Sequence, residues 1–183
     1  MKEYVQGEEE WANNKFKLGM QFPNLPYIVH GDFKMSEHIP IHNYLAEKFN
    51  PALLGTSPQQ RAKVAMLSAP LKDLKMGITM PCYMSGEKDE CLAAMEKHLP
   101  GIYACLGDNK FLVGEQPTWI DFYFYETVDF AKFLNPDLYT QYPALEAFHQ
   151  RVRELPRLKQ YLANHMSLDN QRRFNGKFAK INN

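Results

Sequence analysis

The sequence predicts an α+β fold in which a short mixed region precedes an all-helical one. Two observations support this class. Near the start, two short apolar stretches flank the turn His30-Gly31-Asp32, whereas from residue 57 onward apolar residues recur at helical spacing. Between these regions, turn-forming residues from Asn50-Pro51 to Gly55-Thr56 predict a linker. The expected divisions are a domain of residues 1–49, the linker 50–56, an all-α domain 57–165 and an irregular tail 166–183.

The mixed region is expected to contain two helices and two strands. A short helix is predicted around residues 11–16, and a proline-bounded strand at 27–29 is followed by a second strand around 33–35. Ser36 is predicted to be the N-cap of the second helix. The apolar residues of that helix are Ile39, Ile41, Tyr44, Leu45 and Phe49.

The all-helical region opens with a predicted capping box. Ser57-Pro58-Gln59-Gln60 places an N-cap, an N1 proline and an N3 glutamine in order. The helix that follows is expected to be interrupted at Pro70 and to stop near Pro81. A second helix is predicted within residues 88–106, where Pro100 should bend or divide it.

A second capping box, Thr118-Trp119-Ile120-Asp121, precedes the very apolar residues 122–133. A helix that is apolar nearly all round is typical of a buried central helix, so its aromatic residues are interpreted as core and not as a ligand site. Helices at residues 142–155 and 156–163 follow. The aromatic cluster is Trp119, Phe122, Tyr123, Phe124 and Tyr125, and the basic residues of the tail are Arg172, Arg173, Lys177 and Lys180.

The composition excludes several classes of partner. Of the 183 residues, Lys plus Arg and Asp plus Glu number 21 each, so no overall positive field attracts nucleic acid. No run approaches the ~20 apolar residues of a membrane span, and the acidic start is unlike a targeting segment. Cys82, Cys91 and Cys105 lack metal-ligand spacing, and their odd number favours a reducing compartment. The expected location is the cytoplasm or a cytosol-facing assembly such as the cytoskeleton.

Four motifs occur in the order of one known family. They are Trp11-Ala12-Asn13-Asn14-Lys15-Phe16-Lys17-Leu18-Gly19, Phe22-Pro23-Asn24-Leu25-Pro26-Tyr27, Met80-Pro81-Cys82-Tyr83 and Thr118-Trp119-Ile120-Asp121-Phe122. Together they make the chain resemble a mu-class glutathione transferase from about residue 2 to about residue 165. The resemblance implies a partial thioredoxin-like N-terminal domain followed by an all-helical C-terminal domain.

The resemblance also implies a glutathione site in the first domain. Trp11 and Lys15 match an indole and an ammonium that contact the glycine carboxylate of glutathione. Asn24 and Leu25 match a ledge whose backbone pairs with the cysteinyl amide, and Pro26 is the expected cis residue. The residues alone leave open that Trp11 is a packing ring and Lys15 a surface charge.

Three further positions match family roles elsewhere. Asp73 falls where a neighbouring subunit supplies a carboxylate for the γ-glutamyl amine, and Tyr83 falls at a substrate-site tyrosine. Phe22 matches an aromatic key that inserts into a partner subunit. On the facing helix, this chain has Asn43 and Glu47 at the positions where the family has arginines. This difference argues against a symmetric homodimer and favours a different partner.

Glu37-His38 departs from the family pattern, in which a Gln-Ser pair binds the γ-glutamyl carboxylate. Like charges at ~4 Å repel by roughly 1 kcal/mol in water and by more when desolvated. A protonated His38 would compensate in part. Glutathione is therefore expected to be at most a weak ligand, and no other cofactor is expected.

A second departure concerns the family's first strand and first helix, which carry the catalytic tyrosine and have no counterpart in the sequence. Tyr4 aligns within the family's second strand instead. Without a donor to the sulfur, the pKa of the thiol stays near its free value of ~8.5. The same difference is expected to leave the edge of the strand at 27–29 unpaired, which invites pairing by another chain.

Some residues allow two interpretations. His38 and His42 are spaced for a metal, but a solvated helix start is favoured and no metal is expected. Cys82 could be a reactive thiol, but a core residue is favoured. The basic tail is interpreted as a solvated end in preference to a nucleic-acid contact.

These observations predict a non-catalytic glutathione-transferase-like protein that serves as a structural or interaction subunit of a larger assembly. Another protein chain is expected to cover the open sheet edge near Tyr27. The alternative is an active glutathione S-transferase that conjugates the thiol to electrophiles near Tyr83. Neither nucleic acid nor a membrane is an expected partner.

Overall fold

The structure, a computed structural model, describes residues 9–169, 174 and 178–182. The chain divides into two compact units, the first ending at Leu54 and the second starting at Gly55. Tyr4, and Arg172, Arg173 and Lys177 of the predicted tail, lie outside the described residues.

The predicted α+β class is confirmed, with a two-stranded sheet followed by a helical domain. The elements of the first unit are α1 Glu9–Asn14, a 3₁₀ helix Lys15–Leu18, β1 Tyr27–His30, β2 Phe33–Ser36, α2 His38–Phe49 and a 3₁₀ helix Pro51–Leu54. Those of the second are α3 Pro58–Met84, α4 Lys88–Leu106, α5 Trp119–Leu134, α6 Leu138–Gln141, α7 Pro143–Arg153, α8 Pro156–Asp169 and a 3₁₀ helix Lys180–Asn182. No helix of the described residues is long and apolar enough to cross a membrane.

The two strands form an antiparallel hairpin. Tyr27 pairs with Ser36 at its open end and His30 with Phe33 at its turn, where Gly31 adopts φ 60. A positive φ favours glycine because the residue lacks a Cβ. Among the described residues each strand is paired along one side only, and Val29 is 54% exposed. That another protein chain covers this edge stays a prediction.

The prediction that Ser36 is an N-cap is wrong. Ser36 ends β2, because its pairing with Tyr27 keeps its backbone extended, and its hydroxyl donates to the carbonyl oxygen of Phe22. Glu37 takes the N-cap position of α2, and its side chain makes no capping hydrogen bond.

Three prolines lie inside helices that continue past them. α3 runs unbroken through Pro70 and Pro81, and α4 runs unbroken through Pro100. The expected interruption at Pro70 and the expected division at Pro100 are therefore wrong, whereas α3 ends at Met84, three residues after Pro81. Each proline removes one backbone hydrogen bond, but buried Ile78 and Cys82 on either side of Pro81 continue the packed face. Burial of that face outweighs the lost bond.

Both predicted helix starts are observed, although one differs in detail. Ser57 Oγ accepts a 3.1 Å hydrogen bond from the backbone N–H of Gln60, as predicted. In a complete box the Gln60 side chain would accept from the backbone N–H of Ser57. Instead, Gln60 Oε1 accepts from the backbone N–H of Thr56 at 2.8 Å and from the Thr56 hydroxyl at 2.7 Å.

The Thr118–Asp121 capping box is confirmed. Asp121 is fully buried, and its Oδ2 accepts from the backbone N–H of Thr118 at 2.7 Å and from the Thr118 hydroxyl at 2.8 Å. Its Oδ1 accepts from the backbone N–H of Leu112 at 2.8 Å, which ties the preceding loop to the start of α5. Burial raises the pKa of Asp121, although these donors act to lower it.

The helix that this box opens carries a buried aromatic face. Trp119, Tyr123 and Phe124 are buried, and Phe122 and Tyr125 are half-buried. α5 packs against α3, α4, α6 and α7, so its position is central, as predicted.

The end of the second unit differs from expectation. The helix predicted over 142–155 is observed as α7, which Pro143 begins directly after Tyr142, and the short α6, which precedes it, was not predicted. α8 continues to Asp169 and so overlaps the predicted irregular tail, because the apolar spacing through Leu158 and Leu162 continues to Met166 in the sequence.

Candidate functional site

The corner before β1 brings together three of the predicted ledge residues. The Leu25–Pro26 peptide bond is cis, as expected. The backbone N–H of Leu25 donates a 2.9 Å hydrogen bond to Asn24 Oδ1, and Asn24 Nδ2 donates a 2.9 Å hydrogen bond to Glu37 Oε1. The Asn24 side chain therefore links the ledge amide to a carboxylate 13 residues further along the chain.

Glu37 stands at the start of α2 in an unusual backbone conformation. Its φ is 73, and it is the only non-glycine residue with positive φ among the described residues. Such a conformation costs of order 1–3 kcal/mol and persists where surrounding structure fixes it. The Glu37 carbonyl oxygen accepts from the backbone N–H of Ile41 at 3.1 Å, so its backbone carbonyl and its side-chain carboxylate both accept hydrogen bonds. His38 follows as the first residue of α2.

Trp11 and Lys15 lie next to this corner in different environments. Trp11 is 5% exposed, and its ring stacks on Tyr27 with centroids 6.2 Å apart. Tyr27 directly follows Pro26, so the indole supports the start of β1. Lys15 is half-buried and its Nζ lies 5.6 Å from the centroid of Phe16. Of the two, Lys15 therefore offers the more accessible polar group.

Phe22 is 77% exposed, and its carbonyl oxygen holds the hydroxyl of Ser36. Phe16 and Phe49 of the same unit are also exposed, by 81% and 72%. The proposed aromatic key thus has the accessibility that insertion into another subunit requires. Which surface receives it stays a prediction.

Asp73 and Tyr83 belong to the second unit, both on α3. They are ten residues apart, which is about 15 Å along a helix at 1.5 Å per residue. Asp73 is exposed and Tyr83 is half-buried. The structure therefore places these two predicted site residues at separate positions on one helix.

Phe174 contacts Tyr83, and this contact was not predicted from the sequence. The two rings meet edge to face with centroids 6.4 Å apart, and Phe174 also contacts Phe130 at 5.1 Å and Phe133 at 5.9 Å. Phe174 is only 3% exposed. The available signal was a pair of aromatic residues, Phe174 and Phe178, in a tail rich in polar residues.

A methionine strip on α3 was also missed. Met76, Met80 and Met84 follow one another at a spacing of four and are 42%, 40% and 62% exposed. Residues four apart share one face of a helix, and Tyr83 lies three residues beyond Met80 on the same face. The thioether side chains form an accessible, adaptable apolar surface.

A half-buried cation, Lys75, lies one residue before this strip. Lys75 Nζ pairs with the Glu126 carboxylate and lies 4.4 Å from the centroid of Tyr123. Burial, and then the charge of Glu126, raises the pKa of Tyr123 to about 12. These contacts fix α3 against α5 beside the methionine strip.

Within the described ranges, no three His, Cys, Asp or Glu side chains are grouped so that they could hold a metal ion. His38 and His42 lie in α2, one turn apart.

Comparison with known proteins gives consistent matches. Residues 72–165 match the family described as "Glutathione S-transferase, C-terminal domain". A "Glutathione S-transferase class-mu 26 kDa isozyme" of Schistosoma mansoni is 35% identical over 158 residues, covering 84% of this chain and 71% of the relative. A "Glutathione S-transferase class-mu 26 kDa isozyme 51" of Fasciola hepatica is 33% identical over 158 residues, with the same coverage.

Solved structures agree on the fold. The glutathione S-transferase Blo t 8 superposes with a TM-score of 0.73 at 28% identity, over 85% of this chain and 75% of that one. A Pi-class glutathione S-transferase of Onchocerca volvulus gives a TM-score of 0.78 at 24% identity, over 88% and 79%.

Proposed function

Because the chain belongs to the glutathione S-transferase family, we propose that it binds glutathione and conjugates the glutathione thiol to apolar electrophiles. The relatives that support this proposal are named as glutathione S-transferases. The expectation of a non-catalytic structural subunit is the rival proposal, and the comparisons favour the enzyme.

The observation that carries the proposal is the ledge at Asn24–Tyr27, which leads into a strand with an accessible edge. Glutathione is an extended tripeptide, and a strand edge offers N–H and C=O groups that such a peptide can pair with. Lys15 lies one helical turn beyond Trp11, which packs on Tyr27, and an ammonium there suits a peptide carboxylate.

The second requirement is a surface for the electrophile. Met76, Met80 and Tyr83 share one face of α3, and the two methionines are 42% and 40% exposed. Flexible, polarizable side chains of this type accept apolar ligands of varied shape. Phe174 packs on Tyr83 and would limit the size of a bound electrophile.

The rival proposal is favoured by one observation at the ledge. The Leu25 N–H donates to Asn24 Oδ1, and the Nδ2 of the same Asn24 side chain donates to the Glu37 carboxylate. A bound peptide would have to replace the first bond and tolerate the negative charge. If neither exchange occurs, the chain keeps the fold without the activity and acts as an interaction subunit.

One experiment separates the two proposals. Glutathione binding is measured by calorimetry, and conjugation to an activated aryl halide is followed by absorbance. Binding with turnover in the usual enzyme range of about 1–10³ s⁻¹ supports the transferase. Binding without turnover would restrict the proposal to a glutathione-binding protein, and neither binding nor turnover would favour the interaction subunit.

Two variant pairs assign the result to the residues. Lys15→Met should weaken glutathione binding about tenfold through the lost charge-assisted contact, whereas Lys17→Met, an exposed lysine of the same segment, should not. Met80→Glu should lower kcat/KM for an apolar electrophile about tenfold without changing glutathione affinity. Met66→Glu is its control, because Met66 is 62% exposed earlier on the same helix.

A further inference from the structure

Two cysteines outside the proposed glutathione site lie in contact. Cys82 belongs to the last turns of α3 and Cys91 to the first turn of α4, and their Sγ atoms are 3.7 Å apart. Both side chains are fully buried. The third cysteine, Cys105, is exposed near the other end of α4.

Both thiols converge on one acceptor. Cys82 Sγ and Cys91 Sγ each donate to the carbonyl oxygen of Ile78 at 3.2 Å. The helices are held close here because Gly77 lies against Ala94, where an added Cβ at Gly77 would be 2.7 Å from the Ala94 side chain. Close helix contact therefore keeps the two sulfur atoms together without a covalent bond.

We propose that Cys82 and Cys91 form a redox site, which a small peroxide converts to an intramolecular disulfide between α3 and α4. The inference does not depend on transferase activity. The two Sγ atoms are 3.7 Å apart and must approach to about 2.05 Å to form a disulfide bond. Side-chain rotation and a small helix shift would bring them together.

The chemistry proceeds in two balanced steps. The Cys91 sulfur attacks a peroxide oxygen and the O–O bond breaks; the leaving hydroxide takes up the thiol proton and departs as one water, which gives a sulfenic acid. The Cys82 sulfur then attacks the Cys91 sulfur, so that the S–S bond forms, the S–O bond breaks and a second water leaves. Overall, two thiols lose two electrons and the peroxide is reduced to two waters.

Cys91 is assigned the first step because of its position. It lies in the first turn of α4, and helix ends open more readily than helix interiors. Its neighbours Glu87, Lys88 and Glu90 are exposed, so the protein surface lies within one helical turn of Cys91 along the chain. In the closed state, burial raises the pKa of both thiols, and reaction therefore follows opening of the turn.

The segment Lys180–Asn182 lies against the end of α3 and the loop that leads into α4. Lys180 Nζ donates to the carbonyl oxygen of Met84. A Cβ added at Gly86 would lie 3.1 Å from Lys180 Cβ, so the two residues are closely packed. Loss of these contacts should loosen the loop between Cys82 and Cys91 and make the pair more accessible to peroxide. Lys180→Gly should increase the rate of disulfide formation several-fold.

The test uses the native full chain carrying Cys105→Ser, which leaves only the buried pair. The protein is treated with hydrogen peroxide, unfolded in the presence of an alkylating reagent, digested and examined by mass spectrometry. We expect a linked peptide pair containing Cys82 and Cys91, with loss of two hydrogen atoms, that dithiothreitol reverses. Circular dichroism before digestion establishes that the protein stayed folded.

Two results would overturn the proposal. One is that both thiols stay alkylatable at a peroxide dose that oxidises Cys105 in the unmodified chain. The other is that they pass to sulfinic or sulfonic acid without a linked peptide. Cys82→Ser supplies the matched comparison, because in that variant Cys91 should overoxidise where the native pair forms the disulfide.

Discussion

The side-chain amide of Asn24 donates a 2.9 Å hydrogen bond to the carboxylate of Glu37. The same side chain accepts from the Leu25 N–H through its other end, so the charge at the start of α2 and the ledge amide are joined through one residue. The proposed glutathione site lies in this region, and we expect the affinity for glutathione to depend on how readily this link gives way.

The double substitution Glu37→Gln and His38→Ser should tighten glutathione binding about fivefold. It removes a like-charge repulsion of roughly 1 kcal/mol at ~4 Å and keeps an oxygen that can accept from Asn24. Calorimetry measures the change, with Glu47→Gln, an exposed glutamate of the same helix, as control. An unchanged affinity would mean that glutathione does not approach Glu37.

Asp121→Ala should lower the free energy of unfolding by about 3 kcal/mol or more. The substitution leaves two buried backbone N–H groups and a hydroxyl without their acceptor. Urea denaturation measures the loss. Asp137→Ala is the control, because Asp137 is an exposed helix N-cap whose side chain makes no capping bond. Equal effects would show that the Asp121 bonds do not stabilise the unit.

These two regions also show what the sequence could predict. The Thr118–Asp121 box spans four residues, so its bonds follow from local chain geometry alone. Ser36 has the residue type and position that the same local rule requires, but it is not an N-cap. Its pairing with Tyr27 in the hairpin fixes its backbone as a strand. Local patterns predict caps correctly only where no tertiary pairing competes.

The missed features depend on long-range contacts. Asn24 and Glu37 are 13 residues apart, and Tyr83 and Phe174 are separated by most of the second unit. Pro81 does not end α3 because packing of its neighbours Ile78 and Cys82 continues beyond it. The α+β class and the central position of α5 were predictable because hydrophobic spacing carries both.

Phe174→Ala should lower the free energy of unfolding by about 3 kcal/mol, the lower end of the cost of truncating a buried phenylalanine. Its ring contacts Tyr83, Phe130 and Phe133, and all three would lose a packing partner. Phe49→Ala is the control, since Phe49 is 72% exposed and its truncation should cost less than about 0.5 kcal/mol. Similar costs for both would contradict the packed position of Phe174.

Stability should fall at alkaline pH in part because of Cys82. Burial, and then the neighbouring Cys91, raises the pKa of the Cys82 thiol from 9.0 to about 12. The folded state therefore holds this proton more tightly than the unfolded state. The contribution to stability is fully present below the unfolded pKa near 9.0 and is lost as pH rises toward about 12.

Between these limits the loss is at most about 1.4 kcal/mol per pH unit for this thiol. Denaturation at about pH 8, 9 and 10 should give a shallower decline for Cys82→Ala than for the unmodified chain. Cys105→Ala should keep the original slope, because Cys105 is exposed. Parallel declines in all three proteins would refute the assignment.

Within the described part of the chain β1 pairs with β2 only, which leads to a prediction about assembly. An accessible strand edge pairs with other chains, and Val29 is 54% and Phe33 47% exposed on this hairpin. The chain expressed alone should therefore form oligomers in size-exclusion chromatography with light scattering, and Val29→Lys should shift them toward monomer because charge on an edge opposes pairing. Met66→Lys, an exposed methionine on α3, should leave the oligomers unchanged. A monomeric unmodified chain with protected amides across residues 27–29 would mean that the chain covers this edge itself.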